Sequence, residues 1–160
     1  MNDDQIKLAH GSGGTVSRDF IQGTLLKFFT SPLLRKLNDS ALLDLDPGRV
    51  AFTTDTYVVD PLFFPGGDIG KLAVCGTVND LAVAGAVPKF ISCALILEAG
   101  FGSADLNRIL QSMRDAADAA GVQVVTGDTK VVPQGKADGV FINTAGVGVV
   151  PDSTGPDREP

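Results

Sequence analysis

The chain has 160 residues, of which 44% are hydrophobic and 20% charged, with a formal net charge of −6. That is an ordinary globular composition with enough aliphatic side chains for one core. The acidic balance argues against sequence-independent nucleic-acid binding, which needs clustered Lys and Arg. Every apolar stretch meets a charge before it could span a bilayer.

The opening Met1-Asn2-Asp3-Asp4-Gln5 lacks the basic start and apolar run of a secretion signal. Residues 1 to 14 end in His10-Gly11-Ser12-Gly13-Gly14. Thr15 or Ser17 then caps a helix running to about Phe29, and Ser31-Pro32 stops it. Ala41-Leu42-Leu43, after Asn38-Asp39-Ser40, reads as a strand that Asp46-Pro47-Gly48 turns into a second strand, Arg49 to Thr54, giving a hairpin. Leu62 to Gly67 reads as an apolar loop. Asp68 is placed to cap a helix from about Ile69 to Ala84, and on its wheel Ile69, Ala73, Gly76 and Asp80 share a face. Apolar residues fill most other directions, which predicts a buried helix carrying Asn79 and Asp80 inward.

Lys89 to Leu97 is a near-continuous apolar run, the pattern of a central strand covered on both faces. Ser103 opens a helix with Leu106, Ile109, Leu110, Met113, Ala116, Ala117 and Ala120 three and four apart, and Gly121 ends it. Val122 to Thr126 reads as a strand with Gly127 to Lys130 as its exit loop. Gly139 to Val150 reads as a last strand, bent or bulged at Gly146 and Gly148. Pro151 to Pro160 has linker composition. Alternating strands and helices predict an α/β domain over residues 1–150, with helices packed on one face of a mixed sheet.

Asp39, Asp55, Asp80 and Asp128 are the carboxylates of interest. Three lie at strand starts or exits, where a sheet edge can gather them, and Asp80 lies within a helix. Grouped carboxylates repel one another unless a cation offsets their charge, and hard oxygen donors select magnesium. Loop aspartates also cap turns and helices, an account that suits Asp39 and Asp128 but not a mid-helix Asp80. Gly11 to Gly14 precedes a helix start, where free N–H groups favour anions, although glycine-rich loops before helices are common. Lys130 is either a cation for phosphate or a solvated loop lysine. His10, the only histidine, has the same two readings.

There is no GxxxxGK[ST] or strand-to-helix GxGxxG. One histidine and no GxSxG leave neither a zinc hydrolase nor a serine triad. Cys75 and Cys93 lie outside any CxxC pattern in apolar segments, and read as buried, reduced thiols of a cytoplasmic protein.

Taken together, five motifs resemble the HypE family of hydrogenase maturation proteins. They are Thr53-Thr54-Asp55-Thr56, Pro61 to Gly70 (PLFFPGGDIG), Gly76-Thr77-Val78-Asn79-Asp80-Leu81-Ala82, Gly85-Ala86-Val87-Pro88 and Gly127 to Val132 (GDTKVV). His10 to Gly14 matches too, so the likeness runs from about residue 7 to residue 150. Asn-Asp-Leu-Ala followed by Gly-Ala-x-Pro marks the wider PurM-like ATP-binding superfamily, and Pro-Leu-Phe-Phe-Pro-Gly-Gly narrows it to HypE.

The resemblance implies a PurM N-terminal-type domain whose sheet pairs with a second copy into a barrel, making a homodimer. It implies ATP and Mg as ligands, with Asp39, Asp55, Asp80 and Asp128 coordinating magnesium. Thr54, Asn79, Lys130 and His10 would be supporting contacts, and Gly11, Ser12, Gly13 and Gly14 would cover the nucleotide. HypE-like proteins accept a carbamoyl group from a HypF-type transferase on a C-terminal cysteine and dehydrate it with ATP to a thiocyanate. The cyano group then passes to iron on a HypC–HypD scaffold. The second domain and terminal cysteine lie outside this sequence, and neither Cys75 nor Cys93 inherits that role, so the chain alone is expected to be inactive in dehydration. Sibling enzymes of the superfamily (thiamine-monophosphate kinase, selenophosphate synthetase, aminoimidazole ribonucleotide synthetase) share the aspartate framework. A non-catalytic dimerisation module is the alternative of a different class.

Overall fold

The computed structural model describes residues 14–23, 26, 32, 34–38, 40–45 and 48–151. The chain divides into two compact units, residues 1–38 and 39–160. In the first, helix α1 covers Gly14–Gly23 and a 3-10 turn covers Leu34–Lys36. The predicted helix end at Phe29 lies outside the described residues.

The second unit carries strands β1 (Ala41–Leu45), β2 (Gly48–Tyr57), β3 (Phe63–Phe64), β4 (Gly67–Asp68), β5 (Val87–Glu98), β6 (Gln123–Val132) and β7 (Val140–Val150). Helices α2 (Ile69–Val83) and α3 (Ser103–Ala120) complete it. Five strands form one mixed sheet in the order β1-β2-β7-β5-β6. β1–β2 is the predicted hairpin, and β5–β6 is the parallel pair, with α3 as its crossover. Both helices pack on one face, as the α/β reading anticipates.

Alternation along β7 shows how the sheet is used. Val140, Ile142, Thr144, Gly146 and Gly148 are buried against the helix layer, while the residues between them face the other way. Ile142 pairs with Tyr57 on one side and Leu95 on the other. With Ile69, Val74, Ile91, Ile109 and Met113 it makes the core. Gly146 is needed because a Cβ there would stand 2.7 Å from Thr77 Cγ2 and 2.9 Å from Leu81 Cδ1, so α2 lies directly on the strand. Register along β2–β7 is unbroken there, whereas the β5–β7 ladder shifts opposite Gly148, between Pro88 and Phe90, so the predicted irregularity falls on the β5 side while Gly146 serves close packing.

α2 begins as predicted, with the Asp68 carboxylate accepting from Lys71 N at 3.0 Å. α3 ends at Gly121, whose φ of 66° is left-handed. Other expectations need correcting. β2 continues through Asp55 to Tyr57, and β6 runs through Gly127 to Lys130, so Asp128 and Lys130 lie within a strand rather than in a loop. Leu62–Gly67 holds the small β3–β4 hairpin. Arg108 of α3 lies 4.0 Å over the Phe63 ring. Among the described residues β5 is covered on one face only, and Phe90 and Ile96 are exposed. α2 is not buried all round: Leu72, Asn79 and Val83 are exposed, and burial is confined to the stripe Ile69, Gly70, Ala73, Val74, Thr77, Leu81. Apolar composition alone does not show whether a second layer covers a helix. Here none of the described residues does so on that side.

Candidate functional site

Strand alternation turns Thr53, Asp55 and Tyr57 of β2 toward α2, and the 3.6-residue helix period turns Gly76, Thr77 and Asp80 toward β2. Polar groups meet along this seam. Thr53 Oγ1 donates to Asp80 Oδ2 at 3.1 Å, and Ser40 Oγ donates to the Asp80 carbonyl at 3.0 Å. Tyr57 OH donates to Asp55 Oδ2 at 2.9 Å. Deeper in, the Thr77 and Thr144 hydroxyls lie 2.5 Å apart and Thr144 Oγ1 donates to Ala73 O. Buried polar atoms in such a seam must be bonded to one another, and no buried side-chain nitrogen or oxygen among the described residues lacks a partner.

Tyr57 is bonded to the first of these carboxylates, Asp55, and feels the charge of the second, Asp80. Burial pushes its phenol well above the ordinary tyrosine value; the hydroxyl of Thr77 works against the rise, and Asp55 and Asp80 add to it. Both aspartates therefore bear on one hydroxyl.

Asp128 and Lys130 stand elsewhere. β6 pairs Asp128 with Ala94 and Lys130 with Ile96, residues that alternate with the core-facing Cys93 and Leu95. The pair thus lies on the sheet face away from the helices. Lys130 Nζ is 3.0 Å from Asp128 Oδ2, with both side chains more than 60% exposed. Hydrogen bonding from Lys130 holds the Asp128 carboxyl below its usual range. On the same face Thr54 Oγ1 donates to Thr144 O, and Asn143 Nδ2 bonds Thr54 Oγ1, Asp55 O and Thr56 Oγ1 at 2.8–3.2 Å. Asn143 and Asp128 are level with each other across Ala94.

Of the predicted site, the structure brings Asp55 and Asp80 to one seam, with Thr54 on the opposite side of the same strand. Asn79 is exposed on α2. Gly14 begins α1 at a φ of 73°. His10, Gly11, Ser12, Gly13 and Asp39 lie outside the described residues. Among the described residues no three His, Cys, Asp or Glu side chains gather as a metal site. Two carboxylates at one seam nonetheless fit magnesium, which commonly takes one or two and fills its sphere with water and phosphate oxygens. Cys75 and Cys93 are free thiols, only half-buried, and burial pushes Cys93 up. Tyr57 and Asn143 escape motif reading. The i, i+2 spacing of Asp55 and Tyr57 signals the first, whereas nothing local signals the second.

This sheet, with two helices on one face and the other face open among the described residues, defines an α/β domain. The chain belongs to the AIR synthase related protein, N-terminal domain family, which matches residues 37–150. Within it, the chain is 52% identical over 151 residues to carbamoyl dehydratase HypE of Escherichia coli (strain K12), a match covering 91% of this chain and 45% of that protein. The same-named protein of Rhizobium leguminosarum bv. viciae is 54% identical over 148 residues, covering 92% and 42%. A crystal structure of HypE in complex with ATP superposes with a TM-score of 0.64 at 53% identity, over 91% of this chain and 43% of that one. A HypE–HypF complex gives 0.78 at 50% identity, over 83% and 43%. Thiamine monophosphate kinase of Aquifex aeolicus, 17% identical with a TM-score of 0.67 over 85% and 44%, shares the fold alone. The chain spans a little under half the length of its HypE relatives.

Proposed function

We propose that this chain is the ATP-binding, dimer-forming N-terminal half of a HypE-type carbamoyl dehydratase. Its 53% identity to a HypE crystallised with ATP carries the reading, and the Asp55–Asp80 seam supplies chemistry consistent with it. Asp55 and Asp80 would hold magnesium, joined by Asp39, whereas Asp128 would not share that ion, because β6 lies three strands from β2 and turns Asp128 to the other face of the sheet. Bound magnesium would neutralise phosphate charge and polarise the transferred group. Thr54 and Asn79 would orient the phosphates, Lys130 would meet them as a point charge, and His10 with Gly11 to Gly14 would close over the nucleotide.

In the complete protein the acceptor is a C-terminal cysteine carrying a carbamoyl group from a HypF-type partner. Its oxygen leaves only after phosphorylation. The thiocyanate that remains would give its cyano group to iron on a HypC–HypD-type scaffold, toward a nickel–iron hydrogenase. Neither internal cysteine replaces that acceptor, so this chain alone is expected to bind nucleotide without dehydrating anything. Its acidic balance and free thiols suit a cytoplasmic protein.

The open sheet face supports a homodimer. Phe52, Phe90, Ile96 and Val149 are each more than 40% exposed there, and pairing with a second copy would bury them. Calorimetric titration with ATP, with and without magnesium, tests the nucleotide reading. Magnesium-dependent heat at one site per chain is expected, and its absence at millimolar ATP would reduce the chain to a dimerisation module.

A further inference from the structure

We propose that Tyr57 is a positioning residue for the nucleotide site, holding the Asp55 carboxylate in the orientation in which it meets the metal; this rests on the reading above. Tyr57 and Asp55 project from the same face of β2, and the phenol donates to Asp55 Oδ2 at 2.9 Å. That bond leaves the carboxylate's other oxygen, Oδ1, pointed by a fixed donor rather than swinging about χ2.

The donor is itself fixed. The Tyr57 ring packs on the core and its strand position pairs with buried Ile142. α2 presents Gly76 to the hydroxyl, where a Cβ would overlap the oxygen and stand 3.1 Å from Cζ. A glycine inside a helix costs about 1 kcal/mol relative to alanine, and here it makes room for one hydroxyl. Thr53 gives Asp80 the same service from the same strand face, at 3.1 Å. Each carboxylate of the seam thus has one oxygen held by a hydroxyl of β2.

The chain has one tyrosine and no tryptophan, so tyrosine emission reports this hydroxyl alone. The test compares the 160-residue chain with Tyr57→Phe and Ile109→Val by calorimetry with Mg·ATP, alongside tyrosine fluorescence and thermal unfolding. Ile109→Val is the control for a merely structural role, because it loosens the buried core at a residue of α3 that neither pairs with Asp55 nor bonds to the Tyr57 network. Tyr57→Phe is expected to weaken Mg·ATP about tenfold, the scale of a lost hydrogen bond to a charged group. Ile109→Val should stay within twofold despite a lower unfolding temperature. Wild-type tyrosine emission should change with the calorimetric midpoint. If Tyr57→Phe binds within twofold of wild type, or Ile109→Val weakens binding as much, the positioning role is wrong while the nucleotide reading survives. A wild-type chain that does not bind Mg·ATP overturns both.

Discussion

On the helix-covered face of the sheet, polar side chains are bonded to one another at the seam with α2; on the open face they bond to the sheet backbone, to neighbouring strand hydroxyls or to an exposed partner. Asp55 and Asp80 belong to the first setting, Asp128 and Lys130 to the second. The same residue type is therefore under different physics. At the seam, desolvation makes each missing bond costly, so geometry is tightly specified. On the open face water screens the Asp128–Lys130 pair, and its geometry is held only weakly. The sheet thus has a rigid half and an adaptable half.

The largest expected effect comes from removing the floor of the rigid half. Ile142→Ala, at a fully buried position between Tyr57 and Leu95, should cost about 3 kcal/mol of stability by denaturant titration, within the usual range for Ile→Ala in a core. A cost near zero would mean that the helix-covered face is not closely packed. Asp68→Ala removes the carboxylate that caps α2, the helix carrying Asp80. Equilibrium unfolding should register a loss of about 1 kcal/mol, and Asp68→Asn should recover most of it. At the open face, Lys130→Ala should leave the unfolding midpoint within error in the absence of ligand, because the pair is solvated. If it lowers the midpoint as much as the cap variant does, the contrast between the two faces is broken.

Much of this architecture is legible along the chain. The β1–β2 hairpin, the Asp68 cap, α3 with its glycine stop and the carboxylate within α2 follow from periodicity and turn chemistry, which act over a few residues. The misread elements share a cause. Gly127 to Lys130 looks like a loop because glycine and aspartate favour turns, yet pairing with β5 draws it into a strand. Lys89 to Leu97 reads as covered on both faces because apolarity does not reveal which side has a second layer. An apolar helix reads as carrying Asn79 inward, while only one stripe of that helix meets the sheet.

By itself, the sequence determined the family, the order of most elements and the identity of the candidate carboxylates, since motifs and periodic patterns are properties of neighbouring residues. Only the tertiary structure decided that Asp55 and Asp80 share a seam while Asp128 and Lys130 stand across the sheet, and that Tyr57 and Asn143 organise the two sides of β2. Those outcomes depend on strand order and register. Register is set by pairings between residues as far apart as Arg49 and Val150, where a shift of one residue would turn every side chain to the opposite face.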